Sequence, residues 1–97
     1  MLNKKQLKYL KTFTHGLNVV VRVGQNGLTE NVMNEITVAL DHHELVKMKI
    51  SVGDRDLRDQ IINEIIEKTN AELIQKIGNT ACLFRQKPKD SAYTLPK

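Results

Sequence analysis

Apolar residues recur along the chain with two different periods, which together predict three helices and four strands. Three segments repeat apolar residues about every three to four positions, as amphipathic helices do: residues 3–14, 30–41 and 54–68. Four shorter segments are rich in β-branched residues or alternate apolar with polar residues, as strands do: residues 19–23, 45–52, 72–77 and 80–85. The predicted order of elements is α-β-α-β-α-β-β.

The connections between these elements predict how the strands run. Helical crossovers between successive strands make the first three strands parallel, with right-handed connections. Gly78 and Asn79 are a two-residue hairpin signal, so the fourth strand is expected to run antiparallel. Lys47 and Lys49 alternate with apolar residues, which indicates that part of one sheet face is not covered by helices. The predicted fold class is α/β, a single compact domain forming a two-layer sandwich with a mixed four-stranded sheet.

The end of the chain differs in composition from the rest. Residues 1–86 contain all the predicted elements and are an ordinary length for one domain. Residues 87–97, KPKDSAYTLPK, are polar and contain both prolines of the chain together with three lysines. A segment of this kind is typical of a chain end with little packing, so we predict a flexible basic C-terminal tail.

The composition excludes several classes of protein. No apolar run approaches the roughly 18–20 residues that a membrane-spanning helix needs, so no membrane partner is expected. The first residues, MLNKKQLKYLK, lack the apolar stretch of a secretory signal. The single cysteine, Cys82, cannot form a disulfide within the chain, which suits a reducing compartment. We therefore expect a cytoplasmic protein.

The formal net charge of +4 is unevenly distributed. The first 23 residues carry five basic residues and no acid, and residues 76–97 carry five basic residues and one acid. Residues 24–75 carry ten acidic and five basic residues. Basic ends joined by an acidic middle can give a field that is positive on one side of the molecule, which suits a negatively charged partner.

Two glycines, Gly24 and Gly27, bound the turn between the first predicted strand and the second predicted helix. Thr29, just after this turn, is predicted to be the N-cap of that helix. The two glycines do not form a known nucleotide loop. Leu28-Thr29 follows where a Walker loop needs Lys-Ser or Lys-Thr, and the third glycine of the dinucleotide fingerprint is absent. No cofactor and no small-molecule substrate are therefore expected. The turn is either a tight corner or a surface on which a sugar-phosphate backbone lies.

Basic residues favour the second interpretation of this turn. Arg22 comes just before it, lysines share one face of the first helix, and two more share one side of the second strand. Glu30 acts against strong phosphate binding, because it places a negative charge in the first turn of the following helix. Aromatic residues make up only 4% of the chain, and Phe13 and Phe84 are expected in the core. That leaves too few for a base-stacking platform, so structured RNA is the favoured partner. The candidate RNA-binding residues are Arg22, Gly24, Gln25, Asn26, Gly27, Lys4, Lys8, Lys11, Lys47 and Lys49.

Little in the sequence favours catalysis or a metal. Cys82 lies in a predicted strand without an adjacent base, so a buried structural cysteine is expected. His42 and His43 are neighbours at a helix end and point about 100° apart, which suits a charge cap better than a metal site. No catalytic residue and no metal are expected.

The acidic residues at 54, 56 and 59 are interleaved with two arginines. Arg55 and Asp59 stand four residues apart, as do Asp54 and Arg58. This spacing predicts ion pairs on the surface of a solvated helix start.

Several motifs of the chain together resemble the bacterial YhbY family: VVVRVGQNGLTENVMNEI, HHELVKMKI, Asp54-Arg55 and IGNTACLFR. The members of this family are stand-alone CRM domains (chloroplast RNA splicing and ribosome maturation), and the resemblance spans residues 3–86. It implies a fold similar to the C-terminal domain of translation initiation factor three. It also implies RNA binding through a GxxG loop, which falls on residues 24–27, and association with precursors of the large ribosomal subunit.

The sequence therefore predicts a small, non-enzymatic protein that binds structured ribosomal RNA during assembly of the large subunit. Two alternatives remain open. The acidic middle could instead bind a basic protein, or the chain could be an enzyme acting on RNA. For the enzyme, only Glu30 and His15 are candidate acid–base groups near the glycine turn. A monomer is expected, because no large apolar surface is left over.

Overall fold

The computed structural model describes residues 2–97 and contains the predicted elements in the predicted order. The helices are α1 (Lys4–Thr14), α2 (Glu30–His43) and α3 (Arg55–Thr69). The strands are β1 (Val19–Val23), β2 (Leu45–Ile50), β3 (Glu72–Ile77) and β4 (Thr80–Phe84). Within the described residues, no helix has both the length and the apolar character needed to cross a membrane.

The four strands form one mixed sheet in the order β1-β2-β4-β3. β1 pairs with β2 in parallel, while β4 runs antiparallel to both β2 and β3. The first three strands therefore run in the same direction, and the predicted mixed α/β sandwich is confirmed. β4 is the last strand in the chain but lies in the interior of the sheet, between the strands that come second and third.

Side chains near the helix ends explain where the helices begin and end. Asn3 and Gln6 form a reciprocal capping box at the start of α1, with the Gln6 N–H donating to Asn3 Oδ1 at 2.8 Å. Thr29 Oγ1 accepts the Val32 N–H at 3.2 Å, so Thr29 caps α2 as its sequence position predicts. α3 ends at Asn70, whose φ of 61° is the left-handed conformation common after a helix.

An extensive aliphatic core lies between one face of the sheet and helices α2 and α3. Burying these side chains supplies most of the hydrophobic stabilisation of the fold, at roughly 25 cal/mol per Å² of apolar surface. The aliphatic core consists of Val21, Val23, Ile36, Ala39, Leu40, Val46, Met48, Ile50, Val52, Ile61, Ile62, Ile65, Ala71, Ala81 and Leu83.

A smaller core lies on the opposite face, beneath α1. Its buried members are Leu10, Leu45, Ile74, Cys82 and Phe84. Thr14 at the end of α1 is also buried, and its hydroxyl donates to Gln75 Oε1 of β3 at 2.7 Å. Helix α1 therefore covers one part of this face and leaves the strand positions of Lys47 and Lys49 only half-buried.

All four aromatic residues of the chain meet on this side in edge-to-face contacts. Phe13 lies between Tyr9 and Tyr93, with ring centroids 5.2 and 5.3 Å away, and Tyr93 also contacts Phe84 at 5.6 Å. Phe84 is buried, as its sequence position predicts. The prediction that Phe13 is a core residue is wrong, because 39% of its surface is exposed.

The C-terminal segment lies against the domain, which differs from the flexible tail predicted from its composition. Tyr93 and Leu95 pack on the smaller core, and Gln6 Nε2 donates to the Pro96 carbonyl at 3.0 Å. Glu44, which caps α2, is buried, and its carboxylate accepts N–H groups of Lys87 at 3.1 Å and Ala92 at 2.7 Å. The prediction missed these contacts because the polar majority of the segment conceals the few residues that dock.

Candidate nucleic-acid interface

The glycine turn at residues 24–27, which we call the GxxG loop, is a compact turn between β1 and α2. The Gly27 N–H donates to the Gly24 carbonyl at 3.0 Å, and the Thr29 N–H donates to the Gly27 carbonyl at 3.1 Å. Gly27 has φ of +71°, a conformation that side chains disfavour, so the turn itself requires glycine at this position.

Gly24 has no such conformational reason. Its φ lies outside the left-handed region, and a Cβ atom built on it would meet nothing within 4 Å. Gly24, Gln25 and Asn26 are all exposed. A glycine that the fold does not require, on an exposed turn, leaves the backbone open to a close external contact.

Three loops meet at the carboxyl end of β1 and β2, which we call the loop edge. The Ser51 N–H donates to the Val23 carbonyl at 2.7 Å, and Gln25 Nε2 reaches the Ser51 carbonyl at 3.5 Å. The Ile50 N–H donates to the Asn79 carbonyl of the β3–β4 turn, also at 2.7 Å. The GxxG loop, the β2–α3 loop and the β3–β4 turn are therefore neighbours, and α2 and α3 both begin just beyond this edge.

Arg22, Lys47 and Lys49 lie on the sheet face opposite the aliphatic core. Their chain neighbours Val21 and Met48 are buried in that core, and alternate strand residues point to opposite faces. Arg22 stands directly across from Lys49 in the register of β1 and β2. Like charges in such adjacent positions repel each other, and a bound phosphate would relieve that repulsion.

Helix α1 continues this positive surface. Lys4, Lys8 and Lys11 are exposed on it, as predicted, and so is Lys5, which the prediction did not include. The end of α1 shares a small pocket with Lys47, whereas its start lies by β3, where the Leu2 N–H donates to the Glu72 carboxylate. We call these seven residues the basic face: Lys4, Lys5, Lys8, Lys11, Arg22, Lys47 and Lys49.

The two helices on the other side of the sheet carry most of the acidic residues. Their exposed acidic residues include Glu30, Glu35, Asp56, Glu64 and Glu67. The uneven charge of the sequence thus becomes a difference between two sides of the molecule. Glu30 remains exposed at the start of α2, where it weakens the attraction of that helix end for phosphate.

Two arginines at the start of α3 were predicted only as ion-pair partners within the helix. Neither predicted pair falls within ion-pair distance in the described chain; instead Asp59 pairs with Lys76 of β3 at 2.5 Å. The hydrogen bond from Lys76 lowers the pKa of Asp59, and Arg55 and Arg58 act in the same direction. Both arginines border a cavity at the loop edge.

The other candidates for chemistry do not come together. Cys82 is buried, and burial raises the pKa of its thiol although Lys47 acts in the opposite direction. His42 and His43 are exposed in the last turn of α2, as expected for a charge cap. Among residues 2–97, no three His, Cys, Asp or Glu side chains are grouped so that they could hold a metal ion.

Comparison with known proteins identifies the family. The sequence profile of the CRS1 / YhbY (CRM) domain matches residues 2–85. The chain belongs to the CRM domain family. This confirms the resemblance found in the sequence motifs.

Relatives of this CRM domain match it over nearly its whole length. An RNA-binding protein of Haemophilus influenzae is 44% identical over 96 residues, covering 99% of this chain and 96% of the relative. A probable RNA-binding protein of Pseudomonas aeruginosa is 39% identical over 88 residues, covering 91% and 85%. The solution structure of a hypothetical protein of Staphylococcus aureus superimposes with a TM-score of 0.85 at 28% identity, covering 99% and 100%.

Proposed function

We propose that this CRM domain is a cytoplasmic, non-enzymatic protein that binds structured ribosomal RNA in precursors of the large ribosomal subunit and assists their assembly. One observation carries the RNA-binding part: the GxxG loop directly follows the strand that holds Arg22, and Arg22 lies beside Lys49 on the basic face. Most acidic residues lie on the other side of the sheet. Relatives named as RNA-binding proteins support the same partner. The ribosomal part rests on the resemblance to the YhbY family.

Each part of the interface has a role that follows from its chemistry. The open backbone at Gly24 lets a sugar-phosphate chain approach closely, while Gly27 maintains the turn. The side-chain amides of Gln25 and Asn26 can donate to phosphate or accept from a ribose 2′-hydroxyl. Lysine and arginine on the basic face supply attraction that depends on salt and not on sequence.

The decisive experiment is sedimentation of a cell lysate on sucrose gradients at low and at high salt, with detection of this protein. Co-migration with large-subunit precursors at low salt, and release at high salt, is the expected result because phosphate contacts weaken with salt. A protein that stays at the top of the gradient at both salt concentrations would contradict the ribosomal proposal.

The loop is tested separately with Gly27→Asp and with purified, protein-free large-subunit ribosomal RNA. The added carboxylate opposes phosphate, and the side chain is strained at the positive φ of this position, so affinity should fall. Asn63→Asp is the control, because it adds one negative charge at an exposed position in the middle of α3, away from the loop edge. Unchanged affinity in a folded Gly27→Asp protein would exclude the GxxG loop as a contact.

A second candidate function is docking of a basic protein on the acidic helices. The observation that favours it is a groove beside β1 and α2, lined by exposed Val20 and Val38 together with Glu35. Binding to protein-free ribosomal RNA separates the two candidates. An RNA complex that weakens with salt favours the RNA-binding function, whereas capture of ribosomal proteins without RNA favours the second.

A further inference from the structure

A cavity of about 130 Å³ lies at the loop edge, between the start of α3 and the β3–β4 turn. Arg55 and Arg58 border it on the helix side, and Gly78 and Asn79 border it on the side of the turn. Ile50 and Ile62, both buried in the aliphatic core, also line it. It is separate from the GxxG loop and from the basic face, and the sequence predictions assigned no binding role to it.

The charges that line this cavity are predominantly positive. Arg55, Arg58 and Lys76 contribute three cationic groups, and Asp59 is the one acidic residue among the lining residues. The Asp59 carboxylate already accepts the Lys76 ammonium group at 2.5 Å. Neither arginine lies within ion-pair distance of an acidic residue of the described chain, and both act on Asp59 only at longer range. Their guanidinium groups can therefore bind an anion.

The neighbouring carboxylate of Asp54 does not cancel these charges directly. It caps α3 by accepting the Asp56 N–H at 2.9 Å, and it is not among the residues that line the cavity. The planar guanidinium group matches the oxygens of a phosphate in a two-pronged hydrogen-bonding geometry, which a lysine cannot provide. An apolar floor strengthens such a contact because it excludes water from one side.

The cavity and the GxxG loop both lie along the loop edge. Gln25 of the GxxG loop is hydrogen-bonded to Ser51 of the next loop, and the neighbouring Ile50 is hydrogen-bonded to Asn79 beside the cavity. The β1 and β4 ends are two strand spacings apart, or roughly 10 Å at about 4.8 Å per spacing. A single RNA strand that crosses the GxxG loop can therefore continue into the cavity.

We propose that the cavity between Arg55, Arg58 and the Gly78-Asn79 turn is a second phosphate-binding site, which holds a backbone phosphate of the RNA bound at the GxxG loop. The inference rests on the proposed RNA-binding function and adds a second, arginine-based contact to it. The same chemistry would accept free phosphate, so the test must distinguish these two sources.

The first test measures affinity for purified, protein-free large-subunit ribosomal RNA over a series of salt concentrations. Arg55→Gln and Arg58→Gln should each weaken binding roughly three- to fivefold at low salt and reduce the slope of log affinity against log salt by about 1. Lys68→Gln is the matched control, since it removes one positive charge at the far end of the same helix. It should leave the affinity and the slope unchanged.

A charge-conserving variant distinguishes geometry from net charge. Arg58→Lys keeps the positive charge but loses the planar fork, so we expect an affinity between those of the wild type and Arg58→Gln. Full affinity in Arg58→Lys together with a loss in Lys68→Gln would show that only overall charge matters, and would overturn the proposed site. Thermal unfolding of each variant confirms that a loss of binding is not a loss of folding.

The second test titrates the free protein with inorganic phosphate and follows backbone amide resonances. Weak, saturable shifts at Arg58, Gly78 and Asn79, absent in Arg58→Gln, are the expected result. Phosphate binding combined with unchanged RNA affinity in both arginine variants would overturn the RNA contact and identify a site for a free phosphate ligand. No shifts and unchanged RNA affinity would overturn the site altogether.

These outcomes are separable from failure of the proposed function. If the wild-type protein does not bind ribosomal RNA at all, the proposed function fails. If it binds, and Gly27→Asp loses affinity while Arg55→Gln and Arg58→Gln do not, only the second phosphate site is wrong.

Discussion

The sheet face beneath α2 and α3 is closed by aliphatic side chains contributed by strands and helices alike, whereas the opposite face is closed only in part. There α1, four aromatic rings and the C-terminal segment cover one end, and Arg22, Lys47 and Lys49 occupy the rest. The first face can be explained entirely by stability. Part of the second face buries no hydrophobic side chains. The residues found there are basic, and basic residues attract a phosphate backbone.

Glu44 joins α2, on one side of the sheet, to the C-terminal segment on the other side. Its backbone ends α2, with φ of 63°, and its N–H donates to the Leu40 carbonyl at 3.0 Å. Its carboxylate holds the C-terminal segment through the Lys87 and Ala92 N–H groups and the Ser91 hydroxyl at 2.5 Å. One buried acidic residue therefore holds three groups of the C-terminal segment, beside the packing of Tyr93 and Leu95 on the smaller core.

The largest effect is expected from Leu40→Ala in the aliphatic core. The side chain is fully buried, so its truncation removes apolar contacts and leaves a cavity, at a cost of about 2–5 kcal/mol in the free energy of unfolding. Urea denaturation measures this value. Leu73→Ala, at a partly exposed position on β3, is the control and should cost much less. Equal costs at both positions would show that burial in the aliphatic core does not determine how much a leucine contributes to stability.

Glu44→Gln should have the next largest effect. The amide keeps the size of the side chain but loses the charge that strengthens its hydrogen bonds, so we expect a loss of about 2 kcal/mol in the free energy of unfolding. The C-terminal segment should also become sensitive to proteolysis between residues 87 and 97. A segment that stays protected in this variant would mean that Tyr93 and Leu95 suffice to hold it.

The same carboxylate predicts a dependence of stability on pH. Burial opposes ionisation of Glu44, but hydrogen bonds from Ser91, Ala92 and Lys87 outweigh it and lower the pKa. A lowered folded-state pKa gives stability that is present above the unfolded-state pKa, about 4.3, and is lost as the pH falls below it. Urea denaturation between about pH 7 and 3 should show a steeper loss for the wild type than for Glu44→Gln. Parallel profiles would exclude Glu44 as the source.

Tyr93→Ala should cost less than either change, about 1–2 kcal/mol in the free energy of unfolding. The ring is only partly buried, and it loses two edge-to-face contacts, with Phe13 and Phe84. Tyr93→Phe keeps those contacts and should remain near wild-type stability. If the Tyr93→Ala and Tyr93→Phe variants have the same free energy of unfolding, the aromatic contacts do not stabilise the docked segment.

Lys49→Gln should have the smallest effect on stability, within about 0.5 kcal/mol, because it removes a half-buried charge beside Arg22. Its affinity for ribosomal RNA should nevertheless fall. Lys89→Gln, on the C-terminal segment, is the matched control for a lost positive charge. A large loss of stability in Lys49→Gln would show that this face is structural after all.

The predictions that held were those encoded by local spacing. Helix and strand periods, the Thr29 cap and the Gly78-Asn79 turn each depend on a few adjacent residues, and the structure has them at the predicted places. The alternation around Lys47 and Lys49 likewise placed both lysines on the correct face, because the period of a strand is local.

The contacts that the sequence did not predict join residues that are distant along the chain. Nothing near Glu44 shows that its carboxylate will bind residues more than 40 positions later, and the docking of Tyr93 had only the apolar pair Tyr93 and Leu95 in a polar segment as its signal. The spacing of Arg55 and Arg58 places them on a helix surface and gives no sign of the cavity, because the turn that completes it comes 20 or more residues later in the chain.

The interior position of β4 has a consequence for how the protein is made. During synthesis, β2 and β3 emerge before the strand that lies between them, so each initially presents an unpaired backbone edge. The nascent chain cannot complete its sheet until residue 84 has left the ribosome, because folding must wait for this long-range pairing. A polypeptide stalled before Thr80 would therefore carry open strand edges and associate with other unfinished chains.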